Sequence, residues 1–118
     1  MYFGNNPYEG VEQIEPESAY ELLASGEVDI VDVREQSEWD HGHIEGAKLM
    51  PLSELSWRWR ELDPARRIVC VCHVGERSLY AASLLKQAGI DASNMEGGMV
   101  YWEQRKLPIT PPGIVGGH

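Results

Sequence analysis

Cysteine is scarce in this chain: there are two, Cys70 and Cys72, with one residue between them. Thiols so few and so close cannot staple a secreted fold, and in an extended segment their side chains share one face. A structural disulfide between them is therefore disfavoured, which leaves reactive thiols, buried thiols or a C-x-C redox pair. Basic residues are also few, 10 Lys and Arg against 19 Asp and Glu, for a net charge of -9. Such a chain repels nucleic acid and anionic lipid, so neither is expected as a partner. No apolar run approaches the roughly 20 residues that span a bilayer. The start MYFGNNPYEG has neither the basic residues nor the hydrophobic run of a secretion signal. The expected compartment is cytoplasmic, and neither an internal repeat nor a long low-complexity tract interrupts the chain.

What remains is the composition of an ordinary folded protein, with 42% hydrophobic and 25% charged residues over 118 positions. That length suits one domain with one core of moderate size. Helix-like and strand-like segments alternate, which predicts an α/β domain with a mainly parallel sheet. Val28 to Arg34 (VDIVDVR) and Arg67 to Cys72 (RIVCVC) read as strands, the second apolar enough to be central and covered on both faces. Val11 to Ile14, Ala47 to Met50 and Ser93 to Glu96 are shorter strand candidates. Pro16 opens a helix that Gly26 ends. Leu52, Leu55, Trp59 and Leu62 form an apolar stripe on a second helix. A third runs from Glu76 to Gln87, with Ala81, Leu84, Leu85 and Ala88 on one face and Gly89 as its stop. Gly97 and Gly98 precede a short closing helix near Met99 to Gln104. Residues 1–10 and 109–118, rich in Gly, Pro or Asn, are expected to be flexible extensions flanking a domain over 11–108.

The stretch CHVGERS, Cys72 to Ser78, joins the apolar strand to the third helix. In open α/β sheets ligands bind where the loops diverge at the carboxyl ends of strands. The first turn of a helix offers unpaired N–H groups and a partial positive charge, which favour an anionic sulfur and hold anions. Arg77 adds a permanent cation, and Gly75 suits a loop whose amides turn inward. Cys72 is thus a candidate thiolate nucleophile in an anion-binding cradle. A small residue closing a core strand is the competing interpretation, and it is the one expected for Cys70, with a resolving thiol as the alternative.

Taken together, the motifs point further. Asp-Val-Arg at 32–34, Gly-His-Ile-x-Gly-Ala at 42–47, Cys-x-x-Gly-x-Arg-Ser at 72–78 and Glu-Gly-Gly before Trp at 96–102 stand in an order and at spacings that resemble the single-domain rhodaneses, across about Val11 to Pro108. The resemblance implies a rhodanese-like α/β domain, a central five-stranded, mainly parallel sheet flanked by helices on both faces. It also implies a sulfurtransferase that needs no cofactor and no metal. Cys72 would attack a sulfane sulfur, form a persulfide and pass the sulfur on, with the amides from His73, Val74, Gly75, Glu76, Arg77 and Ser78 binding the substrate. Donors would be thiosulfate or a thiol persulfide; acceptors would be cyanide or a thiol, including a protein thiol. Four residues separate Cys72 from Arg77, as in rhodaneses; the related phosphatases have five, a ring suited to phosphate.

Glu76 should oppose a doubly charged donor, so weak thiosulfate:cyanide activity and better turnover with a thiol persulfide or protein donor are expected. Asp32 and Arg34, matching a family pair near the loop, are expected to support it by hydrogen bonding. His43 reads as part of a structural turn with Gly42 and Gly46. His41, His43, Cys70, Cys72 and His73 match no standard zinc spacing. Trp57, Trp59 and Trp102 read as packing aromatics. A rhodanese-like binding or regulatory module with little turnover is the alternative function, and the presence of Cys72 favours the enzyme.

Overall fold

The structure, a computed structural model, describes Tyr8 and residues 10–110. In chain order its elements are β1 (Glu12–Ile14), α1 (Pro16–Ala24), β2 (Val28–Asp32), α2 (Gln36–Asp40), β3 (Lys48–Leu49), α3 (Leu55–Arg58), β4 (Arg67–Val71), α4 (Glu76–Gln87), β5 (Ala92–Met95) and α5 (Gly98–Gln104). The five strands form one sheet in the order β1-β5-β4-β2-β3, and every pair in it is parallel. The expected α/β architecture is therefore the one observed, and the strand carrying the cysteines lies at its centre.

Both faces of the sheet are covered, because alternate residues of β4 feed two separate apolar clusters. Ile68, Cys70 and Cys72 point to one side, where Leu55, Leu62, Ala81, Ala82 and Leu85 close over them. Val69 and Val71 point to the other, against Ala19, Met95, Met99 and Trp102. Trp102 is fully buried, its indole N–H donating to the Pro108 carbonyl at 2.9 Å; truncating it to Ala would cost about 3–5 kcal/mol. Among the described residues no helix is long and apolar enough to cross a membrane.

Three details differ from the sequence expectation. The stripe from Leu52 to Leu62 is not one helix: Leu52–Glu54 and Trp59–Glu61 are 3-10 turns around the four-residue α3, although Leu55 and Leu62 are buried as the stripe requires. The segment lies on Pro51 and ends at Asp63-Pro64, and so short a span gains little from helix propagation. On α4, Ala88 is exposed, and Ser78, Ala82 and Ser83 are buried beside Ala81 and Leu85. The short α2 has no apolar stripe; its reciprocal bonds between Glu35 and Glu38 form a capping box. The extensions expected at 1–10 and 109–118 lie mostly outside the described residues. Ile109 packs on the second cluster, and the Thr110 N–H donates to the His43 carbonyl at 2.7 Å.

Candidate active site

Cys72 sits one residue past the end of β4, where the chain leaves the sheet for α4. The turn is made at Gly75, whose φ of +101° lies in the left-handed region that residues with a Cβ avoid. A Cβ there would also approach the Gly97 amide nitrogen to 3.3 Å. This turn brings the Gly75 N–H onto the Cys72 Sγ at 3.1 Å, and the Ser78 hydroxyl stands 3.3 Å from the same sulfur. A donor aimed at sulfur from a helix N-terminus favours negative charge on it. Cys72, Gly75 and Ser78 are buried, whereas His73, Val74 and Glu76 are exposed on the rim.

The start of α5 supports the loop from beneath. The Met99 N–H donates to the Cys72 carbonyl at 2.8 Å and the Val100 N–H to the His73 carbonyl at 3.0 Å. Gly98 makes this approach possible, since a Cβ on it would collide with both carbonyl groups. From the neighbouring strand, Asn94 accepts a bond from Ser78 at 2.5 Å and gives its own N–H atoms to Gln13 at 2.8 Å and to the Gly75 carbonyl at 3.3 Å. Sequence reasoning passed over Asn94; its signal was an amide within an otherwise buried strand, a placement that demands partners.

Arg77 is held by a partner outside the loop. Its two terminal nitrogens bind the two carboxylate oxygens of Glu38 on α2, both at 2.8 Å. The Arg77 guanidinium is the main reason the Glu38 carboxyl is held down, from 4.5 to about 2. Burial opposes this, and the Glu35 N–H assists it. The same contact pushes Arg77 further up. Glu38 was the second residue missed, although its spacing from Glu35 is a capping-box signal.

Asp32 and Arg34 form a buried pair, the guanidinium reaching Asp32 Oδ2 at 2.8 Å. Arg34 also donates to the Gly42 carbonyl at 2.8 Å and to the Glu38 carbonyl at 3.4 Å. The pair thus grips the α2 turn and meets the cysteine loop through Glu38 and Arg77. His43 sits in that turn, stacked on Trp39 with ring centroids 3.6 Å apart. Arg34, Glu38, His41, His73 and Glu103 line a polar groove beside the loop. An apolar groove lined by Leu55, Trp59, Leu84 and Leu85 shares no residue with it. Among the described residues no group of three or more His, Cys, Asp or Glu is placed to hold a metal ion.

Cys70 behaves as a core residue. It is completely buried, and burial, with a smaller contribution from Cys72, pushes its thiol up to about 12. Both cysteines are free thiols. Of the tryptophans expected to be packing aromatics, Trp102 is core, Trp59 is partly buried against the first cluster and Trp57 is 61% exposed.

Residues 15–105 match the family described as rhodanese-like domain. Over 104 residues the chain is 35% identical to a sulfurtransferase of Allochromatium vinosum, covering 86% of this chain and 97% of that one. It is 36% identical over 99 residues to a Mycobacterium tuberculosis protein named as a probable adenylyltransferase/sulfurtransferase, MoeZ, covering 80% of this chain but only 25% of the relative. The chain therefore spans about a quarter of that larger protein. Among solved structures, a rhodanese-related protein of Thermoplasma volcanium superposes with a TM-score of 0.80 at 29% identity, covering 84% and 97% of the two chains.

Proposed function

Since the chain belongs to the rhodanese-like domain family, with sulfurtransferases among its relatives, we propose that it transfers sulfane sulfur through a persulfide on Cys72. The observation that carries this reading is the Cys72 sulfur at the end of the central strand, facing the Gly75 N–H at 3.1 Å in a loop that leads directly into α4.

The chemistry needs two displacements and no external oxidant. In the first, the Cys72 thiolate attacks the sulfane sulfur of the donor. The donor's sulfur–sulfur bond breaks and its electron pair leaves with sulfite, from thiosulfate, or with a thiolate, from a hydropersulfide whose proton stays on the transferred sulfur. In the second, cyanide or a thiolate attacks that outer sulfur, the new S–S bond breaks, and Cys72 regains its electron pair. Covalent catalysis of this kind divides one difficult transfer into two easier ones. The loop amides and the α4 N-terminus stabilise the negative charge that rests on sulfur throughout.

The donor is a species without two negative charges: a thiol persulfide, small or borne by a protein. Supporting this, both guanidiniums near the loop are committed to carboxylates, Arg77 to Glu38 and Arg34 to Asp32. Exposed Glu76 stands on the rim and Glu103 in the groove beside it. A thiosulfate dianion would meet acidic walls whose cations are already neutralised.

Intact mass measured after incubation with thiosulfate or with the hydropersulfide of 2-mercaptoethanol, whose tail is uncharged, tests both points. One added sulfur atom, removed by cyanide and absent in Cys72→Ser, is expected, with faster loading from the hydropersulfide. No adduct from either donor would overturn the enzyme reading and leave a binding module. Equal loading rates at low salt would overturn the donor preference alone.

A further inference from the structure

Ser78 has one hydroxyl proton and two neighbours that compete for it. Its Oγ lies 2.5 Å from Asn94 Oδ1 and 3.3 Å from Cys72 Sγ. The orientation of the Asn94 amide follows from its other contacts. Its nitrogen faces the Gly75 carbonyl at 3.3 Å and the Gln13 side-chain oxygen at 2.8 Å. Gly75 has only an acceptor there, so a flipped amide would set oxygen against oxygen. The Asn94 oxygen therefore faces Ser78. Two oxygens at that distance need a proton between them, and only Ser78 has one to give.

With its proton turned to Asn94, Ser78 presents a lone pair to Cys72. That arrangement suits an S–H, which can donate to Oγ, and opposes an anionic sulfur. Ser78 and Cys72 are 0% exposed and Asn94 2%, so the conflict is poorly screened. Once Cys72 carries charge, the Ser78 hydroxyl must rotate, giving up Asn94 and donating to sulfur. The rotation leaves the proton on Ser78, and the proton lost by Cys72 goes to solvent or to the leaving thiolate.

We propose that Asn94 is a positioning residue for the sulfur chemistry, acting through Ser78 by competing with the anionic sulfur for the single hydroxyl proton. The proposal rests on Cys72 being the nucleophile that carries the sulfur. It gives the Ser78 hydroxyl two settings, one for the resting thiol and one for the thiolate and persulfide, with Asn94 favouring the first. Gln13 and the Gly75 carbonyl set the amide's orientation and thereby the direction of this bias.

The test is the rate of Cys72 alkylation by iodoacetamide near neutral pH, followed by intact mass, alongside persulfide loading. Asn94→Leu is close in shape and offers no acceptor, so Ser78 is free to donate to sulfur, and alkylation should quicken about fivefold to tenfold, the scale of one ordinary net hydrogen bond. Asn94→Asp keeps an acceptor for the Ser78 proton and adds negative charge, so alkylation should slow by a similar factor. Simple loosening of the fold would move both variants in the same direction. In a Ser78→Ala background the effect of Asn94→Leu should fall below about twofold, because the residue through which it acts is gone. If circular dichroism shows Asn94→Leu unfolded, Asn94→Ala is measured in its place. An unchanged or slower Leu variant, or an acceleration that survives in Ser78→Ala, overturns the proposal. A wild type that never gains sulfur from either donor overturns the sulfurtransferase reading instead, whatever the alkylation rates.

Discussion

Glu38→Gln isolates the ion pair that anchors the loop. Glutamine at this position keeps one oxygen to accept the Glu35 N–H and one Arg77 nitrogen, so the capping box survives, while an NH2 group replaces the oxygen that accepts the second Arg77 nitrogen; the loss is the charge and one of the two bonds to Arg77. A carboxyl held at about 2 in place of 4.5 would represent about 3 kcal/mol for a fully shielded pair. Glu38 and Arg77 are 33% and 37% exposed, so water screens part of this and about 1–2 kcal/mol should remain. For a depressed carboxyl that contribution is complete above 4.5, the value of the free group, and disappears as pH falls toward about 2. Urea unfolding of wild type and variant at a series of pH values checks this. The wild type should lead by about 1–2 kcal/mol at pH 7, about 3–8 °C in melting temperature for a domain of this size. The lead should narrow steadily below pH 4.5. A lead that is negligible at neutral pH, or that stays constant into acid, would refute the assignment of the bond to charge.

The same variant leaves Arg77 without its carboxylate, and thiosulfate loading should rise about threefold or more relative to hydropersulfide at low salt, with the gain erased by added salt; initial rates with the two donors measure it. Asp32→Asn leaves Arg34 buried without its counter-charge and should cost about 3–5 kcal/mol in urea unfolding. Gly98→Ala places a Cβ against the Cys72 and His73 carbonyls at a φ of +58°; a loss of at least about 2 kcal/mol and a fall in persulfide loading are expected, read by thermal melting and intact mass. Cys70 should resist alkylation at neutral pH while Cys72 reacts, as peptide mapping would show. Its burial also stabilises the fold only while the thiol keeps its proton, so stability should decline as pH rises from 9.0 toward about 12.

The sheet and its central strand were legible in the sequence because RIVCVC carries the uninterrupted apolar signature of a buried parallel strand and VDIVDVR is short and rich in β-branched residues. The end of α4 followed from Gly89. What escaped at the site was polar. Glu38 lies in an amphipathically featureless helix of five residues, too short to show a period. Asn94 becomes meaningful only through pairings across 16 and 81 residues, to Ser78 and Gln13. The destination of Arg77 was hidden for the same reason: sequence spacing puts a guanidinium near the cysteine but cannot say which carboxylate it meets. The sequence also places Asp32 at the end of β2, with Arg34 two residues beyond it, while their grip on the α2 turn is a property of three-dimensional contact.

The seat of the cysteine loop on Gly98 and Met99 has a consequence for how the protein is made. Cys72 is synthesised well before the residues that hold its carbonyl, and among the described residues β1 pairs with β5, about 80 residues later in the chain. A ribosome that has delivered β4 and α4 has released a thiol without its support. The sheet gains its second edge and the loop gains its floor when β5 and α5 emerge, so the nascent chain acquires its reactive geometry after the cysteine itself, together with the closure of the sheet.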